Sequence, residues 1–363
     1  MPVRFSHASC ELLLTTACNL RCSYCIERDL PVLSMPVEVG ARAIDMFMFL
    51  AEGATTAEVT FTGGEALLRF RDLKSIVSHI RKTAKERNIA CQLILKTNGT
   101  ILSPQIVDFL SDESWRVVVS IDGAPTSHDR HRKDKSGRPT QETVAQNIAI
   151  LLRRGVECVA SMTVHPDNCS TVARDVRELQ HLGLSHIDIG PVYGTAQWGE
   201  AESLQLADSL NEVALWMRDE AAKGCCLEIG PLYEESEHVG DALRDVWGCK
   251  AGSSHLAFLP DGSVCGCSSL AMLTPEFPEL VVGDVWKGLD DGALTNLQQL
   301  AQAEGHSRLG CQQCSTRDNC AGGCLAINYS TTRSPLQPPT FYCRTISAIP
   351  KAWSTAFTPD ASE

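Results

Sequence analysis

Glu11-Leu12-Leu13-Leu14-Thr15-Thr16-Ala17-Cys18-Asn19-Leu20-Arg21-Cys22-Ser23-Tyr24-Cys25 joins a short apolar run to three cysteines in a C-x3-C-x2-C array. The apolar run reads as a buried strand, which places the cysteines in the loop at its C-terminal end. Three thiolates in so short a loop suit an iron–sulfur cluster with one iron left open. A structural zinc site wants four ligands in two knuckles. Three buried structural cysteines would not be separated by residues as polar as Asn19, Arg21 and Ser23.

Outward from this stretch, β-like runs alternate with amphipathic helical patterns to about residue 223. The strand candidates are Glu11–Thr16, Ala57–Thr62, Cys91–Thr97, Arg116–Ile121, Val156–Val164 and His186–Val192. Ile44, Phe47, Met48 and Ala51 give one helical stripe, and Val144, Ile148, Leu151 and Leu152 another. Six β–α repeats imply an α/β fold with a parallel sheet, either open and wound or a partial barrel. In both, the site lies at the C-terminal ends of the strands. Beyond residue 224 the elements shorten and the cysteines concentrate. Leu256–Leu259, Pro260-Asp261-Gly262 and Ser263–Cys265 read as a hairpin. A region so poor in core residues would depend on metal staples. The expected organisation is a barrel over 1–223, a linker or helical bridge over 224–247, a metal-stapled domain over 248–345 and a loosely held tail over 346–363.

The 363 residues carry a net charge of −12, with 44% hydrophobic and 21% charged residues, which fits a globular chain. The acidic balance argues against nucleic acid and anionic membrane surfaces as partners. No apolar run is long enough to span a bilayer, and Met1–His7 has no apolar signal core, so the expected location is the cytoplasm. In that setting the seventeen cysteines are more suited to metal ligation, catalysis or burial than to disulfides, and an odd number cannot pair completely.

The cysteine loop, with Thr62-Gly63-Gly64-Glu65, Lys96-Thr97-Asn98-Gly99, Ser120-Ile121-Asp122-Gly123 and His128-Asp129-Arg130-His131-Arg132, resembles the radical S-adenosylmethionine (SAM) superfamily. The resemblance implies a partial (β/α)6 TIM-like barrel. Cys18, Cys22 and Cys25 would hold a SAM-binding [4Fe-4S] cluster that reductively cleaves SAM to a 5′-deoxyadenosyl radical. Tyr24 matches the position against the adenine, Gly63, Gly64 and Glu65 the motif at the methionine amino group, and Arg132 the arginine that holds the SAM carboxylate. Asn98 and Ser120 are further contacts. Two glycines allow close backbone approach and Glu65 offers an acceptor for an ammonium. Alternatively, Asp129 and Arg132 form a surface ion pair.

Cys249, Cys267, Cys311, Cys314, Cys320, Cys324 and Cys343 resemble a SPASM domain, which carries two auxiliary [4Fe-4S] clusters; two zinc knuckle sites are the competing reading. By position, the resemblance assigns Cys311, Cys314, Cys320 and Cys343 to the distal cluster and Cys249, Cys267 and Cys324 to the proximal one. The proximal cluster is then open, or Cys265 completes it. Cys265 and Cys267 are two apart on a strand and could reach two corners of one cluster. Cys10, Cys91 and Cys158 read as core, and Cys225-Cys226 as structural. Cys169, in the loop after the fifth strand, and Asp122 are the candidate catalytic side chains.

The resemblance implies an oxidoreductase that abstracts a hydrogen from a peptide or protein and oxidises or crosslinks it. The alternatives are sulfatase-maturase-like formylglycine formation, a small-molecule dehydrogenase or epimerase, and an iron–sulfur electron carrier without radical chemistry. Cys267 is followed by Ser268 where sulfatase maturases usually have Asp, which argues against that reading. Only about ten residues precede the first strand, so a leader peptide would be recognised by the barrel, the SPASM region or a separate leader-binding protein. A flavodoxin or ferredoxin is the expected electron donor.

Overall fold

In a computed structural model, which describes residues 8–112, 115–232, 249–301, 311–314, 320 and 323–357, the apolar runs form strands of one sheet. They are β1 (Ala8–Thr15), β2 (Thr56–Gly63), β3 (Ala90–Thr97), β4 (Trp115–Ser120), β5 (Glu157–Val164) and β6 (His186–Pro191), each parallel to the next. A short β7 (Glu228–Gly230) adds to β6, also parallel. It lies in the segment expected to be a linker, most of which falls outside the described residues. The sheet stays open among the described residues, with β7 at one end.

The crossovers are α1 (Val37–Leu50), α2 (Phe70–Arg87), α3 (Pro104–Ser111), α4 (Pro125–His131) with α5 (Gln141–Arg153), and α6 (Val172–His181); α7 (Glu200–Ala221) follows β6. Their apolar stripes cover the sheet: Ile44, Phe47, Met48 and Ala51 are buried, as are Val144, Ile148 and Leu151, while Leu152 is only partly covered. Local chemistry sets the ends. Ser103 accepts from Ile106 N at 3.3 Å with Pro104 at the first helical position, and Asn88 stops α2 with φ 55°. Between helices and sheet, Trp115 packs on Phe61 and Phe109 at 5.8 and 5.6 Å between ring centroids. Truncating such a ring to alanine costs about 3–5 kcal/mol.

The C-terminal part continues the sheet. The hairpin β8 (His255–Phe258) and β9 (Ser263–Cys265) turns at Gly262, whose φ of +94° suits glycine. β8 pairs parallel with β1, Ser9 opposite His255 through Leu12 opposite Phe258. Then come β10 (Val281–Asp284), β11 (Gly288–Leu289), α8 (Ser268–Ala271), α9 (Asp291–Ala301), α10 (Leu325–Thr332) and α11 (Thr340–Phe357). The expected loose tail is corrected here, because α11 runs through residue 357. It packs on α7, burying Ile349, Ala352 and Ala356, stacking Phe341 on Trp198 at 5.4 Å and pairing Arg344 with Glu200 at 2.8 Å. Alanines carry little hydrophobic signal, which hid this stripe. No described helix is long and apolar enough to cross a membrane.

Candidate functional site

At the C-terminal ends of the strands lies a cavity of about 470 Å³ whose wall includes Cys18, Cys22 and Cys25. Burial pushes the Cys18 thiol up to about 11, with Glu65 and Cys22 adding to it; Cys22 and Cys25 are raised as well, chiefly by burial. Three convergent thiols that resist ionising one another need a cationic partner to become thiolates, which a bound metal cluster supplies. Cys18 Sγ also accepts from Leu20 N at 3.4 Å and faces Asn98 Nδ2 at 3.7 Å. The donor set therefore fits an iron–sulfur cluster.

The glycines of the second strand end act differently from expectation. A Cβ on Gly63 would stand 2.2 Å from Thr15 O, and one on Gly64 2.5 Å from Ala17 O. Their smallness lets the end of β2 press against the backbone leading into the cysteine loop, where Gly64 N donates to Thr15 O at 2.8 Å and Glu65 N to Ala17 O at 2.9 Å. Both glycines still line the cavity. Glu65 does not: its buried carboxylate accepts from Leu67 N, Thr97 Oγ1 and Asn98 N at 2.8–3.0 Å. Its expected role as an acceptor for a ligand ammonium is corrected to that of a brace between the ends of β2 and β3. Gly64→Ala should displace the cysteine loop and reduce cluster iron after reconstitution; an iron content equal to wild type would contradict this packing.

Arg132, Asp122 and Tyr24 form one buried unit. Arg132 Nε and Nη2 donate to Asp122 at 2.9 and 3.1 Å, Tyr24 Oη donates to Asp122 at 2.6 Å, and Thr163 N donates at 2.9 Å. Burial alone would raise the Asp122 carboxyl, but Arg132 outweighs it and holds it below the usual range. Asp122 is fully engaged and does not line the cavity, so it is corrected from catalytic candidate to support for Arg132 and Tyr24, which do. Asp129 does not pair with Arg132; it accepts from Thr140 N and Gln141 N at the start of α5. Asn98 and Ser120 line the cavity as expected. Cys169 is also corrected. It is buried, faces Pro166 O at 3.0 Å and Gln205 at 3.4 Å, and is absent from the cavity wall.

Four polar residues went unassigned in the sequence. Lys96 and Asp188 line the cavity from β3 and β6. Lys96 is 46% exposed, to the cavity interior, and pairs at 2.8 Å with the buried Glu11. Burial opposes ionisation of Glu11, but Lys96 and His255 outweigh it, and Ser268 N donates to it at 2.7 Å. Glu27 also lines the cavity, and burial, then Glu11, pushes its carboxyl up to about 7. A charge inside an otherwise apolar strand, as at Glu11, Lys96 and Asp188, is the signal that could have found three of them.

Beside this cavity lies another of about 430 Å³, whose wall includes Cys249, Cys320 and Cys324. Ile189, Gly190, Pro191 and Tyr193 line both. The thiol of Cys267, raised by burial, has Cys324 and Cys249 as neighbours; that of Cys343, pushed up to about 11, has Cys320, Cys311 and Cys314. Cys320 thus stands between the two groups. Cys265 is buried instead with Leu13, Ala257, Ala271 and Met272, and no thiol is among the charges acting on it. Cys265→Ala should therefore retain the iron content of wild type, whereas Cys267→Ala should lose about four irons, the content of one cluster; iron loss in Cys265→Ala would overturn this placement. Cys10 and Cys158 are buried, Cys91 and Cys225 partly buried, and Cys226 exposed.

Residues 12–179 match the family model described as the radical SAM superfamily. The chain is 31% identical over 185 residues to a serine-type anaerobic sulfatase-maturating enzyme of Bacteroides thetaiotaomicron, covering 48% of this chain and 44% of that protein. It is 24% identical over 365 residues to a serine-type anaerobic sulfatase-maturating enzyme of Klebsiella aerogenes, covering 94% and 88% of the two chains. The fold matches the solved structure of native anSMEcpe with bound AdoMet and Kp18Cys peptide, with a TM-score of 0.79, 18% identity and coverage of 96% and 99%. The three-cysteine loop and the ends of β1 to β5 lie inside the matched span, so residues 12–179 carry a radical SAM domain.

Proposed function

We propose that the chain is a SAM-dependent radical enzyme that abstracts a hydrogen from a residue of a peptide or protein and oxidises or crosslinks it. The observation that carries this reading is the wall shared by the two cavities, Ile189, Gly190, Pro191 and Tyr193 at the end of β6, which sets the three-thiol site beside a second array of thiols. When bound, a [4Fe-4S] cluster and SAM supply reductive cleavage and hydrogen abstraction. Cys18, Cys22 and Cys25 would hold that cluster. Arg132, kept in place by Asp122, would meet the SAM carboxylate, with Asn98 and Ser120 as polar contacts and Tyr24 at the adenine. Cys311, Cys314, Cys320 and Cys343 would hold one auxiliary cluster, and Cys249, Cys267 and Cys324 another that is open toward substrate. Lys96 and Asp188 present charge to whatever enters the first cavity.

A peptide substrate is supported by the peptide bound in the similar solved structure. Formylglycine formation is the specific alternative that the two maturase relatives favour. A flavodoxin or ferredoxin is proposed as donor. The test is incubation of reconstituted protein with SAM, reductant and a library of Cys- and Ser-containing peptides. The expected product appears only with SAM and is lighter by two hydrogens; a cysteine taken on to formylglycine also exchanges its sulfur for a water oxygen and releases sulfide. A product that reacts with hydrazide would favour formylglycine over a crosslink. Oxidation of small molecules but of no peptide would contradict the peptide reading.

A further inference from the structure

Against Ser23 of the cysteine loop, two imidazoles and a carboxylate meet. His131 ends α4; His165 and Asp167 lie in the turn after β5. One ligand atom from each lies within 4.8 Å of the other two. Asp167 Oδ1 sits 2.9 Å from His131 Nε2 and 2.7 Å from His165 Nδ1, and the ring centroids are 4.3 Å apart. The other carboxylate oxygen, Oδ2, faces Arg130 at 3.4 Å, so Oδ1 is the one the two rings share.

We propose that His131, His165 and Asp167 form a zinc-class divalent cation site that ties the turn after β5 to the loop carrying Cys22 and Cys25. Two imidazoles and a carboxylate are a donor set suited to zinc. Tetrahedral ligation at about 2.0–2.1 Å places neighbouring ligand atoms about 3.3 Å apart, so the two Asp167 contacts need open only by about half an ångström, and the two ring nitrogens already lie within 4.8 Å of each other. A supporting partner is already in place: His131 Nδ1 lies 2.7 Å from Ser23 Oγ. That contact directs Nε2 toward Asp167 and gives the ligating ring the outer hydrogen bond that metal-bound histidines normally make. Ser23 N also donates to His131 O at 3.0 Å, so ring and backbone of one residue both grip the cysteine loop. His131 is buried while Asp167 is 43% exposed, which leaves an entry path and room for water as a fourth ligand.

The test uses the cluster-loaded enzyme, dialysed anaerobically against zinc chloride, with zinc and iron per chain measured by mass spectrometry and zinc ligation read by X-ray absorption. The expected result is about one zinc per chain with nitrogen and oxygen ligands and no loss of iron. His165→Ala and Asp167→Asn, each keeping wild-type iron, should weaken zinc binding by at least about tenfold. Absence of retained zinc, zinc ligated by sulfur, or a zinc affinity equal to wild type in both variants would overturn the site.

Discussion

Cys18→Ala should bring 5′-deoxyadenosine formation to background and remove about four of about twelve irons, the content of one of three four-iron clusters. The physical reason is local. Cys18 shares a cavity wall with Cys22 and Cys25 and receives N–H···S contacts from Leu20 and Asn98. Two thiols cannot replace three at a cluster whose fourth iron must stay open. The second thiol array lies in a different cavity, so its iron should survive. Iron counts and product assays on one preparation check both halves. Retained SAM cleavage would overturn the site; loss of all iron would show that the arrays depend on each other for folding.

Asp122→Asn should lower stability by about 3–5 kcal/mol, because it leaves the buried Arg132 guanidinium without its countercharge. With an unfolding entropy of roughly 0.8 kcal/mol/K for a chain of 363 residues, the melting temperature should fall by roughly 4–7 °C. The sign with pH follows from the depressed Asp122 carboxyl. Its contribution is present above the ordinary carboxylate range and is lost as pH falls through the folded-state value, where the wild type takes up a proton that the variant lacks. The wild-type and variant melting curves should therefore converge in acid. SAM affinity should fall too, since Arg132 and Tyr24 both face the cavity and both rest on Asp122. An unchanged melting temperature at neutral pH would contradict the buried-pair account.

Much of this was legible before the structure. Short, mostly apolar and β-branched runs such as Val117–Val119, set between helical patterns, read as covered strands, and a cysteine triplet directly after the first of them announces its own chemistry. Roles that depend on where a side chain turns were not legible. Glu65 reads as a ligand acceptor but bends inward to Thr97 and Asn98. Asp122 reads as a catalytic candidate but is consumed by Arg132, Tyr24 and Thr163. Cys169 follows a site strand yet points under α7, where Ser209 Oγ donates to its backbone oxygen at 2.8 Å. The joining of the hairpin to β1 also escaped, because strand pairing between Ser9 and His255 spans 246 residues and leaves no local pattern.

The most direct measurement is 5′-deoxyadenosine formation by the anaerobically reconstituted protein with SAM and a strong reductant. The account predicts product that requires reductant and intact Cys18, Cys22 and Cys25. With cluster iron and SAM binding verified, absence of product would contradict it and leave an iron–sulfur electron carrier as the better description.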